Sequence, residues 1–137
     1  MKNAEELKQF ISLSELRAMK EHTRGEEGAF FRKMIRDLKA TIANMPKTYE
    51  TEGQGDDAMV TLHYFKGGSD WWIIEKDMLD EQLQAFGFAC LNGDTENAEL
   101  GYISIEELIE NGVELDLYYK PEKIGDIKKK FGKGYSN

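Results

Sequence analysis

The chain has one cysteine, two prolines and two histidines in 137 residues. Each shortage excludes something. A lone thiol, Cys90, rules out an internal disulfide, and its place in the apolar run AFGFACL reads as a buried, inert side chain. So few histidines and cysteines supply no zinc-ligand spacing. No apolar run approaches the ~18 residues of a membrane span. The opening MKNAEELKQF has no apolar signal-peptide core, so a cytoplasmic protein with no membrane contact is expected. No phosphate-cradling glycine motif and no glycine-framed serine elbow occurs. GDTENAE is too short and wrongly ordered for a calcium loop. No cofactor and no metal are expected.

Cations are scarce where carboxylates are abundant. Residues 1–49 carry ten Lys/Arg against seven Asp/Glu, residues 50–116 two against seventeen, and residues 117–137 six against two. The stretch LNGDTENAELGYISIEEL, 91–108, has Asp94, Glu96, Glu99, Glu106 and Glu107 but no cation. Phosphate would be repelled, so direct duplex DNA binding by this middle region is not expected. Three readings stay open: a metal or catalytic site, a solvated turn and helix, or a surface for a basic partner. The lysine-bearing ends also suit intramolecular counter-charge.

The length suits one domain. Residues 1–46 read as helical. NAEELKQFI is a short helix candidate. Ser12 and Glu15 form a capping box before Leu13, Leu16 and Met19. AFFRKMIRDLKATIANM carries an apolar stripe at Phe30/Phe31, Met34/Ile35, Leu38 and Ile42 that Pro46 ends. Residues 47–121 read as β-rich and acidic with one short helix. The strand candidates are AMVTLHYF, WWIIEKD, QAFGFACLN, ELGYIS and ELDLYY, and Ser104 with Glu107 caps the helix. Residues 122–137 read as a basic tail, frayed or loosely docked. Its Lys128, Lys129, Lys130 and Lys133 alternate with Phe131 and Tyr135, which suits single-stranded nucleic acid or simple counter-charge. The expected class is α+β: an antiparallel meander of about five strands with the N-terminal helices on one face.

Few side chains suggest chemistry. His22 closes a helix, and His63 sits where a strand neighbour brings Glu75 or Asp77 near. Adjacent Trp71 and Trp72 must point to opposite sides of a strand, one into the core and the other either exposed as an anchor or covered by a helix. Glu75, Asp77, Asp94 and Glu99 would make a carboxylate site for a hard metal or acid–base work if adjacent strands gathered them.

Three segments, VTLHYFKGGSDWWIIEKD, QAFGFACLNGDTENAELGYISIEEL and ELDLYYKPEKI, resemble an uncharacterised family, domain of unknown function 2958. The likeness spans about residues 49–124. Trp71, Glu75, Asp77, Phe86, Gly87, Glu99, Leu100, Gly101, Tyr102, Ser104, Glu107 and Leu108 fill its motif positions. The resemblance implies a protein of plasmids, phages or other mobile elements, found near antirestriction and conjugation genes. It brings no activity with it. Glu75, Asp77 and Glu99 are the motif positions that a fold alone does not require.

The expected function is therefore a non-enzymatic acidic binding protein. Asp70, Trp71, Glu75, Asp77, Asp94, Glu96, Glu99 and Glu106 are its expected partner-binding residues, and its partner a basic, nucleic-acid-binding host protein inhibited by a DNA-mimic-like surface. A metal-assisted hydrolase or nucleotide-acting enzyme using the carboxylates is the alternative, and an accessory protein that dimerises through its N-terminal helices is a third.

Overall fold

The computed structural model describes residues 7–79 and 81–131. Of the first helix candidate, residues 3–6 lie outside that range, and Leu7–Phe10 form a turn that buries Leu7, Phe10 and Ile11. Helix α1, Leu13–His22, starts where Ser12 accepts the Glu15 N–H at 3.3 Å. The expected capping box is half made. The Glu15 carboxylate accepts instead from the Leu115 N–H at 3.0 Å, far along the chain. Leu16 and Met19 are buried, while Leu13 is exposed. Helix α2, Gly28–Ala43, buries Ile35 and Ile42 and leaves Phe30 outside. Phe31, one step around the helix, stacks on His22 at 4.6 Å. The Lys76 ammonium caps the end of α2 on the Ile42 carbonyl at 2.8 Å, where a cation suits the helix dipole.

The strands are β1 (Met59–Val60), β2 (Leu62–Lys66), β3 (Ser69–Glu75), β4 (Ala85–Cys90), β5 (Glu99–Ile103), β6 (Glu114–Leu115) and β7 (Glu122–Lys123). The main antiparallel sheet runs β5-β4-β3-β2-β6, and β1 pairs with β7 separately. The class is α+β as expected, and β2 to β5 form a meander. The last predicted strand shrinks to two residues and moves to the far edge, beside β2. Helix α3, Ile105–Glu110, carries the chain there. Ser104 caps it at 3.1 Å, and Ile105, Leu108 and Val113 join the core under it.

Both faces of the sheet are covered. On one, Leu62, Tyr64, Ile73, Ala85 and Ile103 pack with Leu16, Met19, Ile35 and Ile42 of α1 and α2. On the other, Val60, Ile74, Phe88 and Cys90 pack with Ile124 and Ile127. Those last two belong to helix α4, Ile124–Lys130. The basic tail reading is corrected here: residues 124–130 are a helix with a buried stripe, and Phe131 stacks on Phe88 at 5.9 Å. Gly125 permits the docking, since a Cβ there would lie 2.7 Å from the Asp56 Cβ. Lys133 and Tyr135 lie outside the described residues. No helix among the described residues is long and apolar enough to cross a membrane.

Candidate functional site

The site expectations separate at one irregularity. The β3–β4 register shifts between Ile73 and Glu75, the mark of a β-bulge. Strict alternation would turn Glu75 to the face opposite Ile74. With the bulge, both line the same cavity. Glu75 is 4 % exposed. Its Oε1 accepts the Tyr49 N–H at 2.8 Å, and its Oε2 accepts the Thr51 N–H at 2.9 Å and the Thr51 hydroxyl. Tyr49 takes a left-handed φ of 76° to make this wrap, a conformation that costs a non-glycine residue ~1–3 kcal/mol.

Asp77 is buried too. Its carboxylate accepts backbone N–H bonds from Leu79 at 2.8 Å, Leu83 at 3.0 Å and Gln84 at 3.3 Å. Burial pushes that carboxyl up, but the three donors outweigh burial and hold it below its ordinary value. Glu75 and Asp77 were expected on a partner-facing surface; both are internal acceptors that shape loops. Asp70 is half-buried and meets His63 Nε2 at 2.8 Å, while Asp116 meets Nδ1 at 3.2 Å. His63 thus faces Asp70 and Asp116, not Glu75 or Asp77. Trp71 packs on the α1/α2 side. Trp72 lies under α4, 5.6 Å from Phe131 and 5.3 Å from His63. Neither tryptophan is a free anchor.

The other expected residues stay at the surface. Asp94, Glu96 and Glu99 lead into edge strand β5, and Glu106 follows it on α3; all four are exposed. Asp94 caps the turn Thr95–Asn97, accepting the Asn97 N–H at 3.3 Å. The proposed four-carboxylate site does not assemble. Asn92 N–H bonds Ser69 Oγ at 2.9 Å, which fixes the Asp94 loop at the start of β3. Glu75 and Asp77 lie at its end, roughly 20 Å away at ~3.3 Å per strand residue. Among the described residues, no group of three His, Cys, Asp or Glu is placed to hold a metal.

No protein-family model, curated protein or solved structure matches the chain.

Strand β5 divides its side chains between two sides. Glu99 pairs opposite Ala89, and Leu100 and Tyr102 pair opposite Phe88 and Phe86. On the Phe86 side lies a cavity of about 280 Å³ lined by Leu100, Tyr102, Ile74, Glu75, Ala58 and the 49–55 loop. The Tyr102 hydroxyl donates to the Tyr49 hydroxyl at 3.1 Å and ties loop to edge, a contact that holds the Tyr102 phenol above its usual value. Leu100 is 41 % exposed at this cavity. Gly101 has open space where a Cβ would be. Sequence reasoning missed the cavity. Its one signal was the glycine-rich, acidic loop ETEGQGDD, whose Gly53 and Gly55 take left-handed φ of 89° and 57°.

Proposed function

We propose that the protein is a non-enzymatic binding protein that meets a basic partner along the β5 edge, through Asp94, Glu96, Glu99 and Glu106. One observation supports this reading above the others. Several carboxylates elsewhere have cations: Asp56 with Lys128 at 2.7 Å, Asp57 with Lys123 at 3.5 Å, Glu122 with Lys130 at 3.3 Å and Asp37 with Lys33 at 2.7 Å. Among the described residues, no lysine or arginine forms an ion pair with Glu99 or Glu106. Lys128 and Lys123 pair with Asp56 and Asp57, Lys129 with Asp126 of its own helix and Lys130 with Glu122, so none of these pairs reaches Glu99 or Glu106.

Such an edge speeds encounter with a cationic surface, and salt weakens it over a Debye length of about 8 Å at physiological strength. The partner is a nucleic-acid-binding protein whose phosphate-accepting groove the edge enters. The resemblance of residues 49–124 to the mobile-element family adds the setting, which is inhibition of a host defence or DNA-processing protein in the cytoplasm. The test is capture of defined nucleic-acid-binding proteins on the immobilised chain. Capture should fall with added salt, with heparin, and with Asp94→Lys, Glu96→Lys and Glu99→Lys combined. Capture unchanged by that triple reversal overturns the reading.

A further inference from the structure

The cavity beside β5 narrows what a basic partner must carry, if the acidic-edge reading holds. At about 280 Å³ it lies near the lower end of ligand pockets, roughly 300 Å³. Ala58, Ile74, Phe86 and Leu100 give it apolar walls. Glu75 and Glu52 line it, and among the described residues no lysine, arginine or histidine does.

Glu75 is the informative group. A carboxylate 4 % exposed normally sits against a cation, because an unpaired buried charge is costly. Among the described residues none is in ion-pair contact with it. It is stabilised by three hydrogen bonds alone, one on Oε1 and two on Oε2. A carboxylate offers about four acceptor positions, so one on Oε1 is unfilled. The cavity thus combines apolar walls, an incompletely satisfied carboxylate and no internal counter-charge. A neutral apolar occupant would leave Glu75 uncompensated, and an anion would be repelled by both carboxylates.

We propose that this cavity receives a lysine or arginine side chain of the basic partner. Its aliphatic stem packs on Ile74, Phe86 and Leu100, and its cation donates to Glu75. Glu52 adds a second negative charge, and Tyr49 and Tyr102 add aromatic surface of the kind that attracts cations.

The test is an NMR titration of the full chain with the N-acetyl methylamides of lysine, arginine and norleucine. The lysine and arginine probes should shift the methyl signals of Ala58, Ile74 and Leu100 saturably in the millimolar range. Norleucine, the uncharged analogue, should not, and signals of Leu16 and Ile35 should stay still with all three. Glu75→Gln should weaken the lysine probe at least tenfold. Because that change touches the 49–51 loop, Leu100→Trp, at an exposed position, fills the mouth with Glu75 intact and should abolish the shifts. Equal binding of norleucine, or lysine binding unaffected by both variants, overturns the proposal. The two readings fail separately. Probe binding without capture of any basic protein upholds the cavity and overturns the acidic edge. Capture that Leu100→Trp leaves unchanged, with no probe binding, overturns the cavity alone.

Discussion

The two faces of the main sheet are closed by different means. Over one lie α1, α2 and α3, which bring large aliphatic side chains such as Leu16, Met19, Ile35, Ile42 and Leu108. Over the other lie short pieces: a two-residue ladder between β1 and β7, the seven-residue helix α4, and a loop held by hydrogen bonds to Glu75. Long amphipathic helices lay a stripe of aliphatic side chains along a face. Between the short segments, beside β5, lies the cavity with the buried carboxylate. The most distinctive chemistry lies where the cover is pieced together.

Two acids drawn out of water, half-buried Glu15 and buried Asp77, shift in opposite directions. Glu15, on the α1 side, is pushed up to about 7 mainly by burial; the Leu115 N–H draws it back, and Glu114 and Asp116 push it further. Asp77 has three backbone donors and is held low. The number of N–H groups aimed at each carboxylate, together with the like charges of Glu114 and Asp116 beside Glu15, separates these outcomes.

The comparison breaks most violently at Gly87, in the β4 strand shared by both faces. A Cβ there would lie 2.1 Å from the Trp72 carbonyl oxygen. Gly87→Ala should cost ~3 kcal/mol or more by urea denaturation, because backbone must move beside the bulge. Next comes α4. Ile127→Ala should cost ~2–4 kcal/mol, as should the matching Ile35→Ala on the helical face. If Ile127→Ala costs under ~1 kcal/mol, α4 is an ornament and the second face has no true core.

A smaller effect concerns pH. Glu15 titrates near 4.5 when unfolded and near 7 when folded, so between these values the folded state holds more protons. Stability contributed by this group is therefore complete below about 4.5 and falls as pH rises towards 7. Glu15→Gln keeps an acceptor for Leu115 without the charge. Its melting temperature should exceed that of the parent above neutrality, and the gap should close as the solution is acidified. A gap that does not vary with pH would separate Glu15 from the titration. The smallest expected change is Lys128→Ala, which breaks the partly buried pair with Asp56 and should cost ~1 kcal/mol or less, less still in high salt.

Much of the fold was legible in local pattern. The helical stripe of α2, the capping serines Ser12 and Ser104, the alternation in β2 and β4 and the stop at Pro46 all act within a few residues. The site was legible only in part. Asp94, Glu96, Glu99 and Glu106 belong to exposed segments, and their polarity says so. Glu75 and Asp77 read the same way, yet they are buried, because the donors that satisfy them come from Tyr49, Thr51, Leu79, Leu83 and Gln84.

Sequence alone determined where α1, α2, α3 and strands β2 to β5 form, since capping, periodicity and turn chemistry are short-range. Tertiary structure alone decided which acids face water, which edge β6 joins, and that the C-terminal lysines sit on a core helix. Those outcomes depend on a one-residue bulge in β3 and on contacts between residues far apart in the chain, and hydropathy along a strand carries no record of either.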